Sequence, residues 1–100
     1  MVIYEIKFKR DAKDLFEITT YLVKKYKNKR FYLKNKKTIY EHEINRFDYP
    51  QYYNYVLSER DIEPMKIAIL KKVQSVIKDE NRILDEVKNI LKTLENKEEK

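Results

Sequence analysis

Glycine, cysteine and tryptophan are absent from this 100-residue chain, and proline occurs only twice. Without cysteine there are no disulfides, no thiolate metal ligands and no thiol nucleophile. The lack of glycine excludes more. Phosphate-cradling loops and dinucleotide fingerprints need glycine where backbone passes close to a ligand, so P-loop and Rossmann chemistry are both ruled out. Long apolar runs are also missing, since no stretch approaches the eighteen or so residues of a membrane span. No basic segment followed by an apolar one opens the chain in the manner of a secretory signal. The expectation is a cytoplasmic protein with no membrane partner.

What is present is a 42% apolar fraction, enough for one modest core, beside an unusually high 40% of charged residues. The formal net charge is +6, and there are nine tyrosines. Phe, Tyr, Met, Ile, Asn and Lys, whose codons are AT-rich, make about half the chain. Counts of Lys and Tyr are therefore discounted as signs of nucleic-acid binding. The Lys/Glu-rich, cysteine-free composition also follows the thermophile pattern, which the seven asparagines do not.

Val2, Tyr4, Ile6 and Phe8 alternate with Glu5, Lys7 and Lys9, which predicts a half-buried strand. Ala12, Leu15, Ile18, Thr19, Leu22 and Tyr26 recur at helical spacing after Asp11, predicting a crossover helix that ends near a left-handed Asn28. Arg30 to Lys34 and Lys37 to Ile44 read as a hairpin turning at Asn35-Lys36, with Asn35 taking the positive φ. Beyond Pro50, Tyr53, Tyr55 and Leu57 alternate as a short edge strand. The fold class predicted is α+β: a mixed three- or four-stranded sheet with one crossover helix over residues 1–57, then a long C-terminal helix over 58–100.

That last helix starts from Asp61 as N-cap, with Pro64 in its first turn. Its apolar residues keep a seven-residue register in three rows, through Val73, Val87 and Leu94, through Ile69, Val76, Ile83 and Ile90, and through Leu70, Ile77, Leu84 and Leu91. Phase survives the one polar break, Asp79-Glu80-Asn81-Arg82, which favours a continuous helix, with the polar tail Glu95 to Lys100 fraying. Such a helix, roughly 50 Å long, would overhang the body. Ile83, Leu84, Val87, Ile90, Leu91 and Leu94 would then need a cover, and a two-fold homodimer supplies one. The competing arrangement is a helical hairpin that folds back at Asp79 to Arg82.

Charge is segregated, with 12 basic against 4 acidic side chains in residues 1–40 and 11 against 13 thereafter. Lys24, Lys25, Lys27, Lys29, Arg30, Lys34, Lys36 and Lys37 crowd into a stretch without an acid, with Tyr26, Phe31 and Tyr32 interleaved. Clustered cations and aromatic faces together suit DNA or RNA. The abundance of lysine over arginine leaves base-specific reading unsupported. A solvated edge hairpin protected by lysines would carry the same residues. The tract from Phe47 to Tyr55 holds five aromatics, read as wrapping the core or as a protein-binding patch. His42, between Glu41 and Glu43, would point away from both on a strand, so no metal site, cofactor or acid–base pair is assigned.

The opening Tyr4-Glu5-Ile6-Lys7-Phe8, with Ala12, Asp14-Leu15, Ile18 and Tyr21-Leu22, is similar to the start of RelE/ParE-type toxins, where a short strand precedes an amphipathic helix. The resemblance covers a fifth of the chain and implies ribonuclease or gyrase-poison activity, but it carries over no catalytic residue. As a whole the chain resembles, in composition, the small orphan proteins of filamentous and rod-shaped DNA viruses of hyperthermophilic archaea. That likeness implies a host cytoplasm and a viral or host protein as partner. The expected function is a small non-enzymatic binding or accessory protein, with nucleic acid or protein as its ligand.

Overall fold

The computed structural model describes residues 1–77 and 81–98. Five strands, β1 (Val2–Phe8), β2 (Phe16–Lys27), β3 (Arg30–Leu33), β4 (Thr38–Tyr40) and β5 (Tyr53–Val56), precede two helices, α1 (Ile62–Val76) and α2 (Asn81–Glu98). The sheet order is β4-β3-β2-β1-β5 and every neighbouring pair is antiparallel. The α+β class stands and β5 is the edge strand expected, but the sheet has five strands rather than three or four and is antiparallel throughout rather than mixed.

The crossover helix does not exist. Its residues form the twelve-residue strand β2, paired with β1 from Val2 opposite Leu22 to Phe8 opposite Phe16. Phe16, Ile18, Thr19, Thr20, Tyr21, Val23 and Tyr26 all favour strand, and they outweigh the helical spacing of Leu15, Ile18, Leu22 and Tyr26. The helix implied by the toxin resemblance is absent with it. Asn28 does take a positive φ of 55°, but in a two-residue turn with Lys29 at 60°, the pattern of a type I′ hairpin. At the next turn Lys36 (71°), not Asn35, is left-handed; Asn35 instead accepts the Lys37 backbone N–H at 2.9 Å through Oδ1.

β4 and β5 lie at opposite edges of the sheet, yet Ile44, four residues past Tyr40, bridges to Tyr55. Four flat strand spacings measure roughly 19 Å. The connecting Glu41–Glu43 is a 310 turn, at about 2 Å per residue too short to span that gap, so the sheet curls until its edges approach. Curling gives it an inner face, where Ile3, Phe31, Leu33, Ile39 and Tyr55 form one core. On the outer face Ile6, Phe8, Phe16 and Val56 meet the helices in a second, larger core.

The C-terminal helix is two helices. α1 ends at Val76, where Ile77 turns extended (φ −90°, ψ 100°), and α2 begins at Asn81, against the continuous helix expected; Asp79 and Glu80 of the polar break lie outside the described residues. Lys71 pairs with Glu95 at 3.8 Å while Gln74 shares a groove with Lys88 and Leu91, so the helices run antiparallel. Ile83, Val87, Leu91 and Leu94 are buried in the larger core, with Leu84 and Ile90 packed against it. The longest dimension of the molecule, 43 Å, leaves no overhanging rod. Of the six residues expected at a dimer interface, Ile83, Val87, Leu91 and Leu94 are thus covered within the chain, and Leu84 and Ile90 are half-buried against it. α2 also continues through the polar tail as far as Glu98. Asp61 precedes α1 as expected but makes no side-chain cap bond, because the 310 turn Glu59–Asp61 already feeds the helix. Among the described residues no helix is long and apolar enough to cross a membrane.

Candidate binding face

α1 packs on β1 and β5, which leaves the outer face of β3, β4 and the C-terminal half of β2 bare. Which residues occupy that face follows from register. Phe31 and Ile39 point into the inner core, so Arg30, Tyr32, Thr38 and Tyr40 point outward. On β2 the phase is reset by a bulge between Val23 and Lys25. Val23 faces inward opposite Leu33; a regular strand would send Lys25 and Lys27 inward as well. The bulge instead sets Lys25 opposite Tyr32 and Lys27 opposite Arg30 on the outer face, and turns Tyr26 inward onto Phe31, ring centroids 4.6 Å apart.

The outer face therefore carries Lys25, Lys27, Arg30, Tyr32, Thr38 and Tyr40, without a carboxylate. Lys25 Nζ lies 5.2 Å from the Tyr32 ring centroid, and the Arg30 guanidinium 5.4 Å from that of Tyr40. His42 stacks on Tyr40 at 5.7 Å with an interplanar angle of 24°. The nearest acids on the adjoining turn are engaged locally: Glu41 accepts the Tyr26 hydroxyl at 2.6 Å, and Glu43 accepts the Tyr40 backbone N–H at 2.8 Å. The bond to Glu41 is also the main reason the Tyr26 phenol titrates above its ordinary value.

The ten basic and aromatic candidates are split by the fold. Lys25, Lys27, Arg30 and Tyr32 share the outer face, Lys29 stands at the β2–β3 turn, Lys34 and Lys36 are in the β3–β4 turn, and Lys24 sits at the bulge. Tyr26 and Lys37 are drawn to the inner side. Lys37 donates to the Tyr55 hydroxyl at 3.2 Å and lies 3.8 Å from Glu5, contacts that tie the β3–β4 turn to the inner face. Tyr40 and His42 were missed. The signal for Tyr40 was its two-residue spacing from Thr38 on a strand paired to Arg30; His42 belongs to a 310 turn rather than to the predicted strand. No cluster of three metal-capable side chains occurs among the described residues.

The tyrosine tract divides likewise. Phe47 packs on the larger core and Tyr55 is 4% exposed, whereas Tyr49 is 76% exposed on the rim of an open groove against α1. Lys72 lines that groove and ties it to α1 by donating to the Pro50 carbonyl at 2.6 Å. Asn54, 2% exposed, ties the loop down through both the N–H and the carbonyl of Gln51.

No family model, curated protein or solved structure matches the chain.

Proposed function

We propose that this protein is a non-enzymatic binding protein that holds nucleic acid, without base specificity, on the outer face of β2, β3 and β4. One observation carries the reading: three cations and two rings converge on a sheet face that the helices leave uncovered. Phosphates release condensed counterions to such cations, and aromatic faces accept bases of any identity. Lys25 and Lys27 act as point charges, and Arg30, the lone guanidinium of the six, already stacks on Tyr40.

The test is fluorescence anisotropy of labelled DNA and RNA in a salt series. Micromolar binding is expected at about 50 mM salt, weakening with a log–log slope of about −2 to −4 for three to five phosphate contacts. Lys25→Glu with Lys27→Glu and Arg30→Glu should abolish it. No binding at low salt, or equal binding by the reversed-charge variant, overturns the reading.

A second reading, docking of a viral or host protein, is favoured by Ile18 and Leu22. They are 42% and 53% exposed on the same outer face of β2, where they flank the basic patch. Ile18→Lys with Leu22→Lys would disrupt a protein partner while leaving nucleic-acid affinity unweakened.

A further inference from the structure

Resting on the nucleic-acid reading, the geometry points to a narrower ligand: an unpaired strand, single-stranded DNA or RNA, with successive bases stacked on Tyr32 and on the Arg30–Tyr40–His42 column. Tyr32 is opposite Thr38 and Tyr40 is opposite Arg30, so the two tyrosines are diagonal neighbours on adjacent strands. Diagonal positions across an antiparallel pair stand about 7–8 Å apart. Bases in a duplex are held about 3.4 Å apart along each strand, with their faces covered by one another. Rings rooted at positions twice that far apart are out of step with consecutive bases of a duplex unless it is unwound. An unpaired strand reaches the spacing by extending, and it offers free base faces.

The cations fit the same occupant. Lys25 and Lys27 lie along β2, to one side of the rings, and Lys29 continues the line at the hairpin tip. The sugar–phosphate chain follows this line, and the bases reach over β3 towards the edge strand β4. There the Arg30 guanidinium, 5.4 Å from Tyr40, is itself a plane on which a base can stack. The face is only three strands wide and four residues tall, which suits a site of about four nucleotides, the lower end for a single-strand binding surface. Tyr40, 43% exposed on an edge strand, is open to such a ligand without rearrangement of the core.

The experiment compares labelled oligothymidylate and oligouridylate of about 12 nucleotides with a duplex of the same length. Binding to the single strands is expected to be at least about 10-fold tighter. Tyr32→Leu and Tyr40→Leu should each weaken single-strand binding by about 5- to 100-fold with little effect on the duplex, whereas Tyr32→Phe and Tyr40→Phe, which keep the ring, should bind as the wild type does. Photocrosslinking of a halogenated single strand to the unaltered protein, mapped by mass spectrometry, should label Tyr32, Tyr40 or His42, and it reads the contact even if a leucine variant fails to fold. Equal or tighter duplex binding, leucine variants that bind normally, or crosslinks confined to other faces overturn the stacking inference. If the reversed-charge variant still abolishes binding in that case, the broader reading stands; if no nucleic acid binds at all, both fall.

Discussion

Lys37 carries the same charge as Lys25, and the two serve opposite faces of one sheet. Its ammonium lies over the rings of Tyr21 and Tyr55, at 5.4 and 5.6 Å, beside the Glu5 carboxylate. Tyr21 donates to Glu5 at 3.4 Å, so β1, β2, β5 and the β3–β4 turn meet in one polar cluster at the inner face. Burial, and then the Glu5 carboxylate, push the Tyr55 phenol well above its ordinary value of 10.0. The unfolded chain loses this proton near pH 10 while the folded chain keeps it, so the contribution is complete below pH 10 and is lost as pH rises above it. Urea unfolding between about pH 9 and 11.5 should show wild-type stability falling by up to about 1.4 kcal/mol per pH unit more steeply than that of Tyr55→Phe. Near neutrality Tyr55→Phe should cost about 1 kcal/mol, since it removes the acceptor for Lys37. Parallel pH slopes for the two proteins would show that Tyr55 ionises as freely folded as unfolded.

At the scale of elements, a chain without glycine must turn its hairpins on residues that resist the left-handed region. Leu15, Asn28, Lys29, Lys36 and Asn45 all have positive φ. A side chain there costs roughly 1 kcal/mol or more, and asparagine less than lysine. Lys29→Gly should relieve that cost, offset in part by the greater freedom of the unfolded chain, for a net gain of about 0.5 kcal/mol and a melting point higher by a few degrees. A lower melting point would mean that the Lys29 side chain contributes packing that outweighs the backbone strain. These turns also explain what was legible in the sequence. The β3–β4 hairpin could be read because it has one buried face and a period of two, and β1 and β5 because polar residues alternate with apolar ones along them, although Ile3 and Tyr55 are buried on the face opposite Ile6 and Val56. β2 could not, because the curl buries Tyr21 and Val23 in part on its inner face and Phe16 on its outer one, which erases the alternation and lets Leu15, Ile18, Leu22 and Tyr26 imitate a helix. The basic stretch was legible as a stretch, but its division between two faces was not. That depends on a bulge after Val23, and no residue type in Val23-Lys24-Lys25 announces it.

At the scale of the whole molecule, the seven-residue register that suggested a continuous rod serves instead to match two antiparallel helices. Both arrangements bury most of the same stripe, Val76 at 56% exposure apart, which is why periodicity alone could not choose between them. Leaving those side chains in water would forfeit about 1.5–3 kcal/mol each, a large share of the 5–15 kcal/mol that holds a domain together. Folding back covers Ile83, Val87, Leu91 and Leu94 without a second chain. The two solutions differ in mass action, because stability supplied by a partner rises with protein concentration whereas stability supplied within the chain does not. Ile83→Ala, which truncates a side chain only 3% exposed, should therefore destabilise by about 2–4 kcal/mol. The melting points of the wild type and the variant should be unchanged across a hundredfold range of concentration, and light scattering should give the mass of one 12.4 kDa chain. A melting point that climbs with concentration would restore the dimer. The same variant separates scaffold from site: α1, with α2 packed on it, supports β1 and β5 away from the hairpin face, so below its melting point Ile83→Ala should bind oligonucleotides with wild-type affinity. A loss of affinity in the folded variant would mean that the helices, and not the hairpin face alone, form part of the binding surface.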